Sequence, residues 1–124
     1  MKKPSSTVWM IVLAVVVFGA LIGGLVYQNN APSKYDDFAQ CLTDKGATMY
    51  GAYWCPHCAD QEALFGSAFK HINYVECSSP GSTTFDLCPD IESTPTWESA
   101  DGVRVKGQRT LQELADRFSC DLPQ

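Results

Sequence analysis

The chain has 124 residues, with 14 Asp and Glu against nine Lys and Arg and a formal net charge of −5. Lys2 and Lys3 precede the first apolar run, so beyond it seven basic residues face fourteen acidic ones, a balance that excludes a nucleic-acid-binding surface and attraction to an anionic membrane face. The length allows one modest aqueous domain, and six cysteines, an even number, fit an oxidising compartment.

Residues 1–7 form a short basic N-terminus, and Val8 to Tyr27 is an uncharged apolar run of twenty residues. At about 1.5 Å per residue, that run matches a hydrocarbon core of about 30 Å. Trp9 and Tyr27 stand near its ends, where amphipathic rings favour the interface. The run exceeds a signal-peptide apolar region and lacks an Ala-x-Ala site behind it, so an anchor is expected over a cleaved signal. Lys2 and Lys3 place the N-terminus in the cytoplasm and the rest of the chain outside it (periplasm, cell exterior or lumen).

Residues 28–34 are a polar linker, and 35–124 the aqueous domain. Within that domain, Tyr35 to Lys45 reads as an amphipathic helix with Phe38, Cys41 and Leu42 on one face, capped by Ser33 or Asp36 and ended by Gly46. Ala47 to Ala52 is a strand, and a helix follows over 56–69 with Ala59, Ala63 and Leu64 available for packing. Ile72 to Val75 is a second strand, and the Ser/Pro/Gly/Thr-rich stretch over 78–90 is a loop. Asp101-Gly102 signals a hairpin between strands at 96–99 and 103–106. Thr110 and Glu113 form a capping box for a last helix with Leu111, Leu114, Ala115 and Phe118 inside.

The chemistry centres on Cys55-Pro56-His57-Cys58. A cysteine at a helix N-terminus meets free N–H groups and the positive end of the macrodipole, which favour its thiolate. Cys58 lies one turn on, within reach to close a disulfide, and Pro56 suits the first helical position. Cys55 is therefore expected to be the exposed nucleophile and Cys58 the shielded partner. A zinc site is not expected, because Cys55, His57 and Cys58 cannot comfortably share one ion and no second ligand pair follows. Haem attachment would need His after Cys58, where Ala59 stands. No cofactor is expected, and His71 reads as a surface residue at a strand start.

Trp54-Cys55-Pro56-His57-Cys58 after a strand, with Ser93-Thr94-Pro95-Thr96-Trp97 roughly forty residues later, resembles the thioredoxin superfamily. The fuller pattern, through Ile72-Asn73-Tyr74-Val75-Glu76-Cys77 and Pro95-Thr96-Trp97-Glu98, resembles the thioredoxin-like domain fused to bacterial and plant vitamin K epoxide reductase homologues, over residues 35–120. The resemblance implies an α/β thioredoxin-like fold, a mixed central sheet flanked by helices, here preceded by one transmembrane helix and without the membrane reductase domain. It makes Cys55 and Cys58 the catalytic pair, with Thr94 and Pro95 forming a cis-proline loop that binds substrate beside Cys55, and Trp54 covering the site. His57 would stabilise the thiolate, as in the strongly oxidising periplasmic oxidases that share its dipeptide. Met49 replaces the acid that thioredoxins carry six residues before the first cysteine.

The other four cysteines can pair in three ways. Cys77–Cys88 across the loop and Cys41–Cys120, on first and last helices that adjoin in such a fold, are favoured as structural disulfides. The alternatives are an electron relay through Cys77 and Cys88, and unbonded buried thiols at Cys41 and Cys120. The function implied is thiol–disulfide exchange, as an oxidase acting on exported proteins with cysteine thiols and recycled by a quinone-linked membrane reductase of the vitamin K epoxide reductase type. A reductase or isomerase and a non-catalytic interaction module are the alternatives.

Overall fold

A computed structural model describes residues 5–124. Lys2 and Lys3, which carry the expected orientation, lie outside the described residues. By contacts the chain divides into two units, one ending at Ala31 and the other running from Pro32 to Gln124. The first is a single helix, α1 (Ser6–Asn30), whose 25 residues are long and apolar enough to cross a membrane.

The second unit contains α2 (Asp36–Asp44), β1 (Thr48–Gly51), α3 (Pro56–Phe65), a 3₁₀ segment (Gly66–His71), β2 (Tyr74–Glu76), β3 (Thr96–Glu98), β4 (Arg104–Lys106) and α4 (Leu111–Phe118). The four strands form one mixed sheet in the order β2-β1-β3-β4. β1 and β2 run parallel through the α3 crossover, and the β1–β3 and β3–β4 pairs are antiparallel. The mixed sheet with flanking helices is the expected α/β class and is consistent with a thioredoxin-like fold.

Strand alternation sorts the side chains to two faces. Met49 pairs with Tyr74 on one side and Trp97 on the other, and all three join the main core with Phe38 and Leu42 of α2, Phe65 of α3, and Leu114 and Phe118 of α4. Tyr50 and Val75, which alternate with them, pack against Cys77, Cys88 and Ile91. The segment from Ser78 to Asp90 holds no regular helix or strand.

Local chemistry sets the element ends. The Thr110 hydroxyl accepts from Glu113 N at 3.1 Å and the Glu113 carboxylate from Thr110 N at 2.7 Å, a complete capping box. Gly102, at φ +82°, turns the hairpin and donates to Ser99 O. Gly46, at φ +82°, closes α2 so tightly that a Cβ there would stand 2.6 Å from Ala100 Cβ. The start of α2 departs from expectation. Tyr35 is its cap without a side-chain bond, while Asp36 accepts from Ser33 N and Ser33 from Tyr35 N in the turn before it.

α3 also differs from its expected extent. It stops at Phe65 because Gly66 takes φ +58°, and the chain continues as 3₁₀ helix to His71. Its inner face is Cys58, Gln61 and Phe65, whereas Ala59, Ala63 and Leu64 face solvent. β2 begins at Tyr74 rather than Ile72, and His71 closes the 3₁₀ segment with Nε2 3.5 Å from Asp36 Oδ1.

Candidate functional site

The C-terminal end of β1 delivers the chain to α3, and the turn between them sets the chemistry. Cys55 is the N-cap of α3, in extended backbone, and its sulfur accepts from Cys58 N at 3.3 Å. Pro56 occupies the first helical position, so no N–H is stranded there. Across the site the Thr94–Pro95 peptide is cis, and Thr94 O lies 3.5 Å from Cys55 Sγ, within reach of a thiol donor. Pro95 is buried, and its carbonyl accepts from Gly107 N at 2.8 Å, which ties this loop to the end of β4.

Both thiols are free, and both are buried: Cys55 is 6% exposed and Cys58 1%. The order of exposure follows the cap geometry, but an openly exposed Cys55 is corrected. The N-cap places its sulfur back over its own helix, against the Thr94 carbonyl, instead of out into solvent.

The two acidities are split. Burial raises the Cys55 thiol, but hydrogen bonds from the Cys58 and Thr94 side chains and from the Cys58 and His57 backbone N–H groups outweigh it. Together they hold Cys55 below its ordinary value. Burial, and then the hydrogen bond to Cys55, push Cys58 up to about 12, only partly offset by the Ala52 backbone. A low-pKa thiol beside a high-pKa one is the arrangement thiol–disulfide exchange needs: one sulfur attacks or leaves readily while the other holds its proton.

The chain is similar to a plant thiol–disulfide oxidoreductase. Thiol-disulfide oxidoreductase LTO1 of Arabidopsis thaliana is 42% identical over 93 residues, covering 69% of this chain and 24% of that protein. The chain thus spans about a quarter of the length of the curated relative it matches. No protein-family model matches it.

His57 is exposed and its imidazole makes no hydrogen bond to the described residues; its backbone N–H is the part directed at the Cys55 sulfur. Trp54, 40% exposed, stacks on Phe85 at 5.6 Å and donates from Nε1 to Ser78 Oγ at 2.9 Å. The 77–88 loop thereby props one wall of the site. Cys77 and Cys88 are bonded to each other and close that loop, and Cys41 and Cys120 are bonded across 79 residues, joining α2 to the end of α4. Among the described residues, no three His, Cys, Asp or Glu side chains gather as a metal site.

Four residues the motif does not announce complete the surroundings. The Tyr53 hydroxyl accepts from Gly81 N and donates to Ser82 O, both at 2.9 Å. Glu76 accepts from Tyr53 N, Ser78 N and the Tyr74 hydroxyl. Burial, Glu76 and then Cys58 hold the Tyr74 phenol well above its usual range. Gln61, one turn beyond Cys58, is fully buried and hydrogen-bonded to β3 and to the segment before α4. Its signal was a polar residue on the same helical stripe as Cys58 and Phe65.

Proposed function

We propose that the protein is a membrane-anchored, extracytoplasmic thiol–disulfide oxidoreductase working as a disulfide oxidase. The observation that carries this reading is the Cys55–Cys58 pair at the α3 N-terminus, with opposite acidities, facing the Thr94–Pro95 loop. The name and 42% identity of the plant relative support the reaction class. α1 serves as the anchor, and two disulfides in the second unit suit an oxidising compartment on the far side of the membrane.

In this mechanism the oxidised pair meets a substrate thiolate, which attacks Cys55 Sγ. The Cys55–Cys58 bond breaks, a mixed disulfide forms at Cys55, and Cys58 leaves with the electron pair and takes up a proton. A second thiolate of the same substrate attacks its own bonded sulfur and expels Cys55, whose lowered pKa makes it a good leaving group. Two electrons have then passed from substrate dithiol to the Cys55–Cys58 pair. A quinone-linked membrane reductase of the vitamin K epoxide reductase type takes them onward and restores the disulfide. Thr94 and Pro95 present the backbone that aligns the substrate beside Cys55.

The test is the reduction potential of Cys55–Cys58 in the full chain, in detergent, against glutathione buffers. Thioredoxin lies near −270 mV and the oxidase with the same dipeptide near −120 mV, so a value above roughly −220 mV is expected. His57→Ala should make it more negative, and an unchanged potential removes the imidazole from the mechanism. A potential near that of thioredoxin replaces the oxidase with a reductase.

A further inference from the structure

Gln61 is the residue of α3 whose chemistry the proposed reaction leaves unused. It is completely buried, on the same helical face as Cys58 and one turn further on. A buried amide is costly unless its hydrogen bonds are made, and Leu or Met would fill the same space without needing any. Here they are made. Oε1 accepts from Trp97 Nε1 at 3.2 Å and from Arg109 N at 2.7 Å, and Nε2 donates to Arg109 O at 3.0 Å. Two donors face one end of the amide and a carbonyl faces the other, so only one orientation satisfies the set.

Both partners lead back to the same loop. Trp97 is in β3, two residues beyond Pro95. Arg109 is two residues beyond Gly107, whose N–H holds the Pro95 carbonyl at 2.8 Å. The circuit closes through the reacting atoms, because Cys55 Sγ sits on Cys58 N at one side and 3.5 Å from Thr94 O at the other. The two halves of the site, the α3 N-terminus and the Thr94–Pro95 loop, come from segments about forty residues apart. Beyond general packing, the Gln61 amide gives them a directional link.

We propose that Gln61 is a positioning residue that sets the active-site helix against the Thr94–Pro95 loop, and thereby the contacts of the Cys55 sulfur. The proposal rests on the thiol–disulfide reading, although its first readout does not require turnover. Gln61→Met keeps the volume and removes the polar link. Trp97→Phe removes one donor and keeps most of the ring. Phe118→Leu is a packing control, since Phe118 lies near Lys45 and Ser99 at the far end of the sheet from Cys55.

In the full chain, in detergent, Cys55 is titrated by thiolate absorbance and the pair equilibrated with glutathione. Gln61→Met should loosen the Thr94 and Cys58 side-chain hydrogen bonds that favour the Cys55 thiolate, and so raise the Cys55 pKa, make the potential more negative, and slow oxidation of a dithiol peptide by about tenfold or more, as expected of a misplaced reacting group. Trp97→Phe should move all three the same way by less, and Phe118→Leu should lower the melting temperature alone. Wild-type titration and potential in both Gln61→Met and Trp97→Phe would overturn the proposal and leave Gln61 a packing residue. If Gln61→Met does not fold, Trp97→Phe decides by the same readouts. A wild-type pair that fails to equilibrate with glutathione defeats the functional reading instead, while the Cys55 titration still judges Gln61.

Discussion

Mild reduction followed by a brief pulse of iodoacetamide at pH 7 should label Cys55 far faster than Cys58. Cys58 is pushed up to about 12, while Cys55 lies below its ordinary 9.0, so at least three pH units separate them. At pH 7 that gap makes the thiolate fraction of Cys55 roughly a thousandfold greater. Intrinsic nucleophilicity runs the other way, since a less basic thiolate is a weaker nucleophile. With a Brønsted slope of about 0.4–0.5, three units return roughly 16- to 32-fold. The net advantage of Cys55 is therefore at least about thirtyfold, before the slightly greater exposure of its sulfur adds to it. Peptide mapping by mass spectrometry against pulse length gives both rates in one sample, with Cys41–Cys120 and Cys77–Cys88 as internal checks that the reduction stayed selective. Equal labelling, or Cys58 first, would refute the split acidities and the nucleophile assignment resting on them.

Other consequences can be measured in the same protein. Replacing Cys41 and Cys120 by Ala opens a loop of 79 residues, worth about 4.5 kcal/mol on the chain-entropy relation, whereas the 11-residue separation of Cys77 and Cys88 gives about 3 kcal/mol; urea unfolding that ranks the two pairs the other way contradicts the entropic account. The stability of the reduced relative to the oxidised protein should rise with pH up to about 9, because Cys55 is deprotonated more readily folded than unfolded, and then fall toward 12, because folded Cys58 keeps its proton. Tyr50 and Tyr74 titrate in both redox states and largely cancel in that difference, so a continued rise above pH 9 is the unfavourable result. Gly51→Ala should destabilise by about 1–3 kcal/mol through overpacking, since its Cβ would stand 2.5 Å from Tyr74 Cε2, and Gly51→Ala with Tyr74→Leu should recover part of the loss.

What could be read in advance divides along the range of the interactions involved. The capping box of Thr110 and Glu113, the Asp101-Gly102 hairpin and the Gly46 helix end are each decided within a few residues, and local chemistry sufficed. The buried face of α3 differs from the expected one because the apolar residues of the helix do not mark it. Ala59, Ala63 and Leu64 are outside, and Gln61 is inside because Trp97 and Arg109, 36 and 48 residues away, satisfy it. The burial of Cys55 has the same origin. Its helix-cap role is local, but the group that closes over it, Thr94 O, is 39 residues on. Gly66 shortened α3 by adopting a positive φ that the apolar pattern around it does not foretell.

The split between the two sulfurs also bears on the direction of electron flow. A mixed disulfide at Cys55 has two fates. Cys58 can attack Cys55 and release the substrate reduced, or a second substrate thiol can attack and leave oxidised. Both attackers are tethered to the same disulfide, so the comparison turns first on their thiolate fractions. A free thiol near 8.5 is a few per cent thiolate at pH 7. At a pKa of about 12, Cys58 is thiolate at roughly one part in a hundred thousand. Part of that elevation comes from the hydrogen bond to Cys55, which the mixed disulfide removes, but burial is the larger cause and stays. Allowing for the greater nucleophilicity of the more basic thiolate, the substrate thiol keeps an advantage of up to about a hundredfold. In the proposed oxidase, depth along one helical turn would thus favour the route to oxidised substrate. Cys55 is at the cap, where N–H groups meet its charge, and Cys58 is one turn inside, where desolvation by burial outweighs the Ala52 backbone and Thr94 side-chain hydrogen bonds that favour its charge.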